Sequence, residues 1–322
     1  LSLECTVDNP NVGEMAGILG ASSKDDNKPI ELPFNFPVLV SETVQLYKPP
    51  TEQIYDLGDE ALTDERRKHF FGRTDLLKQL AERWQQHRSN TLIGQRRIGK
   101  TSLLNKIQWD CQNNQSQIDY SPIVPVYVDI QETTRLIDFF EITLHQMATT
   151  LQVDASQIVV DENNPYKAFK TFLNNNSTQD KLQGRYFLLM LDEAMGIFED
   201  DNLDKGEILA KFLRSLTQNP DYPIMFLFCG IYALKNYTNL LNVAPFVNIS
   251  YLSRQESNEL LEKPAENILE FGEAALEKAY SLTGGQPSLL QQLGCYIIYA
   301  FNRAVKMGEK PNNYVDVDKI DD

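Results

Sequence analysis

The chain has 322 residues, 42% of them apolar, and a formal net charge of −15 at pH 7. At roughly 150 residues per domain that length suits about two domains; no apolar run is long enough to span a membrane and no signal peptide is evident, so a cytoplasmic protein without membrane attachment is expected. The acidic excess is concentrated in residues 1–65 and the only visible basic clusters are Arg66-Arg67-Lys68 and Arg96-Arg97, which disfavours direct nucleic-acid binding. Cys5, Cys111, Cys229 and Cys295 form no C-x-x-C pair and no metal spacing, as in a reduced compartment. The chain begins at Leu1 rather than Met, as a processed or partly represented polypeptide would.

Residues 1–65 read as an N-terminal extension or the end of an upstream domain, partly disordered. Ser22 to Pro29 is polar, four prolines (Pro33, Pro37, Pro49, Pro50) punctuate the next twenty or so positions, and Leu32 to Val44 holds material for a strand or two. Regular patterning begins with Phe70-Phe71-Gly72-Arg73 and a helix from Thr74 to Gln85. The run Thr91 to Ile93 is a short strand and Ser102 to Ile107 opens a helix. Ile123 to Ile130 is a second strand ending at Asp129, succeeded by helices at Arg135–Leu151 and Pro165–Leu173 and a polar, Asn-rich loop. Tyr186 to Leu191 is unbroken apolar and aromatic sequence, the mark of a strand buried on both faces of a parallel sheet. A helix at Lys205–Leu216, a buried strand at Ile224–Cys229, a helix at Ala233–Leu241 and a short strand at Phe246–Ile249 complete the set. Strands alternating with helices give an α/β fold, a parallel doubly wound sheet flanked by helices, over residues 66–250.

After Ser250 the strands stop. Ser253-Arg-Gln-Glu256 is a capping box, Gly272 to Leu282 is helical, Gly284 and Gly285 break that helix, and Pro287 opens another to about Met307. Residues 251–310 are therefore a small all-helical domain, and 311–322 a linker or the start of a further, winged-helix domain.

The chemistry lies between the first strand and its helix. Gly94-Gln95-Arg96-Arg97-Ile98-Gly99-Lys100-Thr101 satisfies G-x-x-x-x-G-K-[ST], the phosphate-binding loop of the P-loop NTPases. A polyphosphate needs several backbone N–H groups converging on its oxygens, which glycine permits, and the helix that starts here offers its N-terminus to an anion. Lys100 is expected to reach the β- and γ-phosphates of ATP or ADP, Thr101 to ligate Mg²⁺, and Ser102 to lie in the same turn. The carboxylates Asp192 and Glu193 sit at the carboxyl end of their strand, where α/β sheets bind ligands. Asp192 is expected to support the metal and Glu193 to activate water.

Three elements in order, FFGR at Phe70–Arg73, GQRRIGKTSLL at Gly94–Leu104 and TGGQPSLLQQL at Thr283–Leu293, resemble the STAND class of P-loop ATPases within the wider AAA+ group. The likeness is to a bacterial branch related to archaeal ATPases with a GGxP helical lid, and runs from about Phe70 to Asn302. Leu252–Pro264 is similar to the helix that opens that lid. The resemblance implies that Phe71 and Arg73 line the adenine side of the cleft and that Pro287 brings the lid over the base or sugar. It also implies a closed ADP-bound state, opening and self-oligomerisation on exchange for ATP, and an effector or sensor module attached or recruited. One departure stands out: Cys229-Gly230-Ile231-Tyr232 lacks the polar sensor that the family delivers to the γ-phosphate, with Tyr232 or Asn236 as substitutes, so slow turnover is expected.

Other readings stay open. Arg96 and Arg97 contact phosphate or a neighbouring subunit, or pair with an acid and cover the loop. Arg73 touches nucleotide or braces the domain junction, and Asp129 places water or caps its loop. Arg214 is an arginine-finger candidate or a solvated helix residue, and Tyr296 to Tyr299 form core or an oligomer surface. His69, His87 and His145 lack metal spacing. The rivals to a switch are an AAA+ motor or loader acting on DNA or protein, and a non-catalytic scaffold stabilised by nucleotide.

Overall fold

In a computed structural model the described residues are 2–4, 14–21, 30–37, 54–55, 70–113, 116–133, 135–156, 158–197, 203–237, 244–308 and 313–315. The chain divides into two compact units: one comprises Ala61–Lys68 and Arg73–Ser250, the other Leu1–Glu60, His69–Gly72 and Tyr251–Asp322. Cys5, His69, Arg66 to Lys68, the polar stretch 22–29 and residues 316–322 lie outside the described residues.

In the second of these units the chain begins with strands β1 (Ser2–Glu4), β2 (Glu14–Ala21) and β3 (Ile30–Pro37), an antiparallel sheet in that order. The pair β2–β3 runs in register from Glu14 opposite Pro37 to Ala21 opposite Ile30. Strand β3 covers the first part of the 32–44 stretch expected to hold strands, β1 and β2 precede it, and residues 38–44 lie outside the described residues.

The α/β unit opens with α1 (Thr74–Gln85) and places five parallel strands in the order β5-β6-β7-β4-β8: β4 (Asn90–Ile93), β5 (Ile123–Asp129), β6 (Tyr186–Asp192), β7 (Ile224–Gly230) and β8 (Phe246–Asn248). Parallel strands need crossovers, and the helices α2 (Lys100–Asn113), α3 (Leu136–Leu151), α4 (Pro165–Leu173), α5 (Asn176–Leu182) and α6 (Leu203–Gln218) supply them. Val124, Val126 and Val128 of β5, Leu189 and Leu191 of β6 and Phe226 and Phe228 of β7 join Phe140, Phe169 and Leu213 from α3, α4 and α6 in one buried cluster. Alternate residues, Leu188 and Met190, are equally buried, which is why the strand sequence shows no polar alternation.

Two expectations are corrected. The Asn-rich stretch after Leu173 is the helix α5, because the Asn175 side chain accepts a 2.8 Å hydrogen bond from Ser177 N at its start. Asparagine is a poor helix interior residue but a strong N-cap, and a loop assignment from composition weighs only the first property. The helix expected at Ala233–Leu241 is a 3₁₀ helix at Tyr232–Tyr237, and residues 238–243 lie outside the described residues.

The helical unit contains α7 (Arg254–Glu262), α8 (Glu273–Thr283) and α9 (Pro287–Lys306). The capping box predicted at its entrance is formed: Ser253 Oγ accepts from Glu256 N at 3.3 Å and Glu256 Oε2 accepts from Ser253 N at 2.8 Å. Short strands β9 (Glu270–Phe271) and β10 (Tyr314–Val315) pair in parallel. Its core takes one residue from far upstream. Tyr55 is 1% exposed, packs with Leu261, Leu293 and Ile297, and donates its hydroxyl to Leu261 O. Gly294 makes the room: a Cβ there would lie 2.6 Å from the Tyr55 ring.

Candidate nucleotide site

Strand β4 ends at Ile93, and the loop to α2 is anchored on both sides. Gly94 N donates to Gly230 O of β7 at 3.2 Å, and Ile249 N donates to Ile93 O at 2.8 Å. The two motif glycines are required for different reasons. A Cβ on Gly94 would overlap the side chain of Ile249, so any other residue there forces that side chain to move. Gly99 has φ +87°, a conformation that side chains disfavour, with open space where a Cβ would point. Arg97 also has positive φ, at 60°. Gln95, Arg96 and Arg97 are exposed, whereas Ile98 is buried and pins the loop. Arg73, itself left-handed at φ 62° and 7% exposed, donates from Nη2 to Ile98 O at 2.6 Å. Arg73 is thus a brace on the back of the loop.

Lys100 opens α2 and is buried. Its Nζ donates to Gln95 O at 3.0 Å and Gly94 O at 3.4 Å, folding the side chain back over the loop. The first turn of α2 itself carries no acidic residue. A phosphate group fits this end: backbone N–H groups, an ammonium group and the positive end of the helix dipole converge on one loop.

Asp192, at the end of β6 and 2% exposed, is the hub of the carboxylate side. Its Oδ2 accepts from Thr101 Oγ1 at 2.6 Å and from Tyr127 OH at 3.4 Å, while its Oδ1 accepts from Glu193 N at 3.0 Å. The fully buried Cys229 thiol also faces Asp192, and burial first, then the Asp192 charge, raise its pKa. Glu193 adopts φ 45° and is half-buried. Desolvation pushes its carboxyl above the ordinary range; Lys100 and Arg96 pull it down, and Asp192 and Asp129 push it further up. Asp129 Oδ1 accepts from Gln131 N at 2.9 Å, capping the 3₁₀ turn Ile130–Glu132.

Thr101 and Asp192 offer hard oxygen donors already within 2.6 Å of each other, which suits Mg²⁺. Among the described residues no group of three or more His, Cys, Asp and Glu could hold a metal.

The remaining residues expected at the site belong to several elements. Ser102 is half-buried in the first turn of α2. Phe71 and Pro287 belong to the helical unit. Lys263 Nζ stands 5.5 Å from the Phe71 ring centre, and Pro287 opens α9 after two left-handed glycines, Gly284 at φ 58° and Gly285 at φ 76°. Arg214 is half-buried on α6, His87 stacks on Tyr186 with centroids 4.0 Å apart, and His145 is exposed. Tyr232 is exposed beneath Lys235, and the Asn236 side chain lies outside the described residues. Sequence reasoning missed Tyr127. The available signal was its place two residues before Asp129, on the same face of β5.

Among the described residues no helix is long and apolar enough to cross a membrane. No family model matches the chain, and no curated protein matches it. Solved structures do. A Walker-type ATPase of Pyrococcus abyssi aligns with TM-score 0.56 at 21% identity, over 78% of this chain and 75% of its own. The ORC2 protein of Aeropyrum pernix, solved in ADPNP–ADP complexes, gives TM-score 0.56 at 16% identity over 83% and 69%. Drosophila ORC bound to DNA gives 0.52 at 11% identity over 85% and 67%. Sheet order, loop and likeness agree: this chain has the fold of the P-loop ATPases.

Proposed function

We propose that the chain binds ATP and ADP with Mg²⁺ through Gly94–Ser102, hydrolyses ATP slowly, and acts as a STAND-type switch. Nucleotide state would then govern self-association and an attached or recruited effector, with 66–250 as the ATPase core and 251–310 as a helical domain. The observation that carries the reading is the 2.6 Å hydrogen bond from Thr101 to Asp192, which joins the phosphate loop to the acid-bearing strand. On this reading Lys100 leaves its loop carbonyls for phosphate oxygens and neutralises their charge. Thr101 and Asp192 hold the metal, and Glu193 accepts a proton from the attacking water. Mg²⁺, when bound, neutralises charge on the β- and γ-phosphate oxygens. Slow turnover is supported at the end of β7, where Cys229 turns its thiol to Asp192 and Gly230 has no side chain to offer.

Denaturing the purified protein and identifying what it releases tests this. Near-stoichiometric ADP is expected. Glu193→Gln should keep ATP binding while hydrolysis falls about 100-fold, the scale of a lost general base. Nucleotide-free protein with fast turnover would sink the switch in favour of a motor. If neither nucleotide binds, the site itself has been misassigned.

A further inference from the structure

We infer that Tyr127 is a positioning residue for Asp192 and through it sets the affinity for Mg²⁺-nucleotide; the inference rests on the function proposed above. Tyr127 and Asp192 are not register partners. Tyr127 pairs with Met190 and Asp129 with Asp192, so the phenol reaches two residues along the same face of the sheet. An aromatic side chain is long enough to span that diagonal. The ring is half-buried, and its hydroxyl lies 3.4 Å from Asp192 Oδ2, the oxygen that Thr101 also uses. A phenol O–H is a hydrogen-bond donor at neutral pH, and here it faces a carboxylate.

The sharing of one oxygen gives this contact its purpose. Thr101 has one proton and two lone pairs, so it can turn a lone pair to a metal while its O–H still donates to Asp192 Oδ2. Tyr127 is a second hydroxyl directed at that oxygen, while Glu193 N holds Oδ1. Asp192 is therefore oriented through both of its oxygens, with Tyr127 fixing the side that faces the phosphate loop.

The test measures affinity for ADP, in excess Mg²⁺ and in EDTA, for the full chain and for Tyr127→Phe, which keeps the ring and removes the hydroxyl. The expected result is a loss of about fivefold in Mg²⁺ and none in EDTA, the size of one ordinary hydrogen bond. In an Asp192→Asn background the same substitution should change neither value, because the residue acts through the carboxylate. A loss in EDTA equal to that in Mg²⁺, or one that persists beside Asp192→Asn, would show a merely structural ring and overturn the inference. So would unchanged affinity in Mg²⁺ with a wild-type chain whose binding Mg²⁺ tightens. A wild-type chain that binds no ADP in either condition would overturn the parent reading instead.

Discussion

Two glycines in this molecule each admit a side chain from far along the chain, one in each unit. Gly94 gives way to Ile249 beside the phosphate loop, and Gly294 gives way to the ring of Tyr55 inside the helical unit. Gly94 is announced by its neighbours, because the phosphate-loop pattern requires it whatever packs behind. Gly294 sits in the apolar run LLQQLGCYIIYAF and reads there only as a helix residue costing about 1 kcal/mol relative to alanine. A glycine inside a sequence motif thus carries a local signature. One serving a distant side chain is visible only when both partners are in place.

The two units also differ in what they depend on. The loop in the α/β unit is held by backbone contacts, Gly94 N to Gly230 O and Ile249 N to Ile93 O, with Arg73 bracing it. The helical unit takes a core residue, Tyr55, that precedes the entire α/β unit in sequence.

The largest effect should come from emptying the socket. Tyr55→Ala removes a fully buried aromatic and the hydroxyl donor to Leu261 O, at an expected cost of about 3–5 kcal/mol. Hydrogen exchange at the amides of α9 should rise steeply while that of β6 stays low; equal change in both would break the distinction between the units. Next is Gly94→Ala, where the new methyl meets Ile249, for about 1–3 kcal/mol of overpacking. Thermal unfolding reads it, and Ile249→Ala in the same chain should restore part of the loss; a second variant that only adds to the damage would contradict the packing account. The smallest is Ser253→Ala, which removes one half of the capping box at α7, for about 1 kcal/mol. Exchange at Glu256 N, whose acceptor is lost, should increase first.

Much of the fold was legible because the signals are local. Tyr186 to Leu191 has no polar alternation, and it lies third in sequence yet inside the sheet, buried on both faces. Ser253 and Glu256 announced their own cap. What failed was also local in appearance: Asn174 to Asn176 looked like a loop, since composition does not say which asparagine caps and which are carried along. At the site, the loop, Lys100, Thr101, Asp192 and Glu193 could be named from spacing alone. Tyr127 could not, since a tyrosine in a buried strand is ordinarily core, and nothing in Ile123 to Ile130 says which residue of β6 stands two places along the same face.

The amino-acid sequence by itself determined the phosphate-loop pattern at Gly94–Thr101 and the alternation of strand and helix that forces a parallel sheet. Tertiary structure alone decided the strand order that sets β7 between the phosphate loop and the Asp192 strand. It also decided the convergence of Thr101, Tyr127 and Cys229 on one carboxylate, and the insertion of Tyr55 against Gly294. The physical reason is range. Hydrogen-bonding patterns of turns and helix ends span a few residues and leave their mark in the sequence, whereas close packing joins residues hundreds of positions apart and leaves its mark only in space.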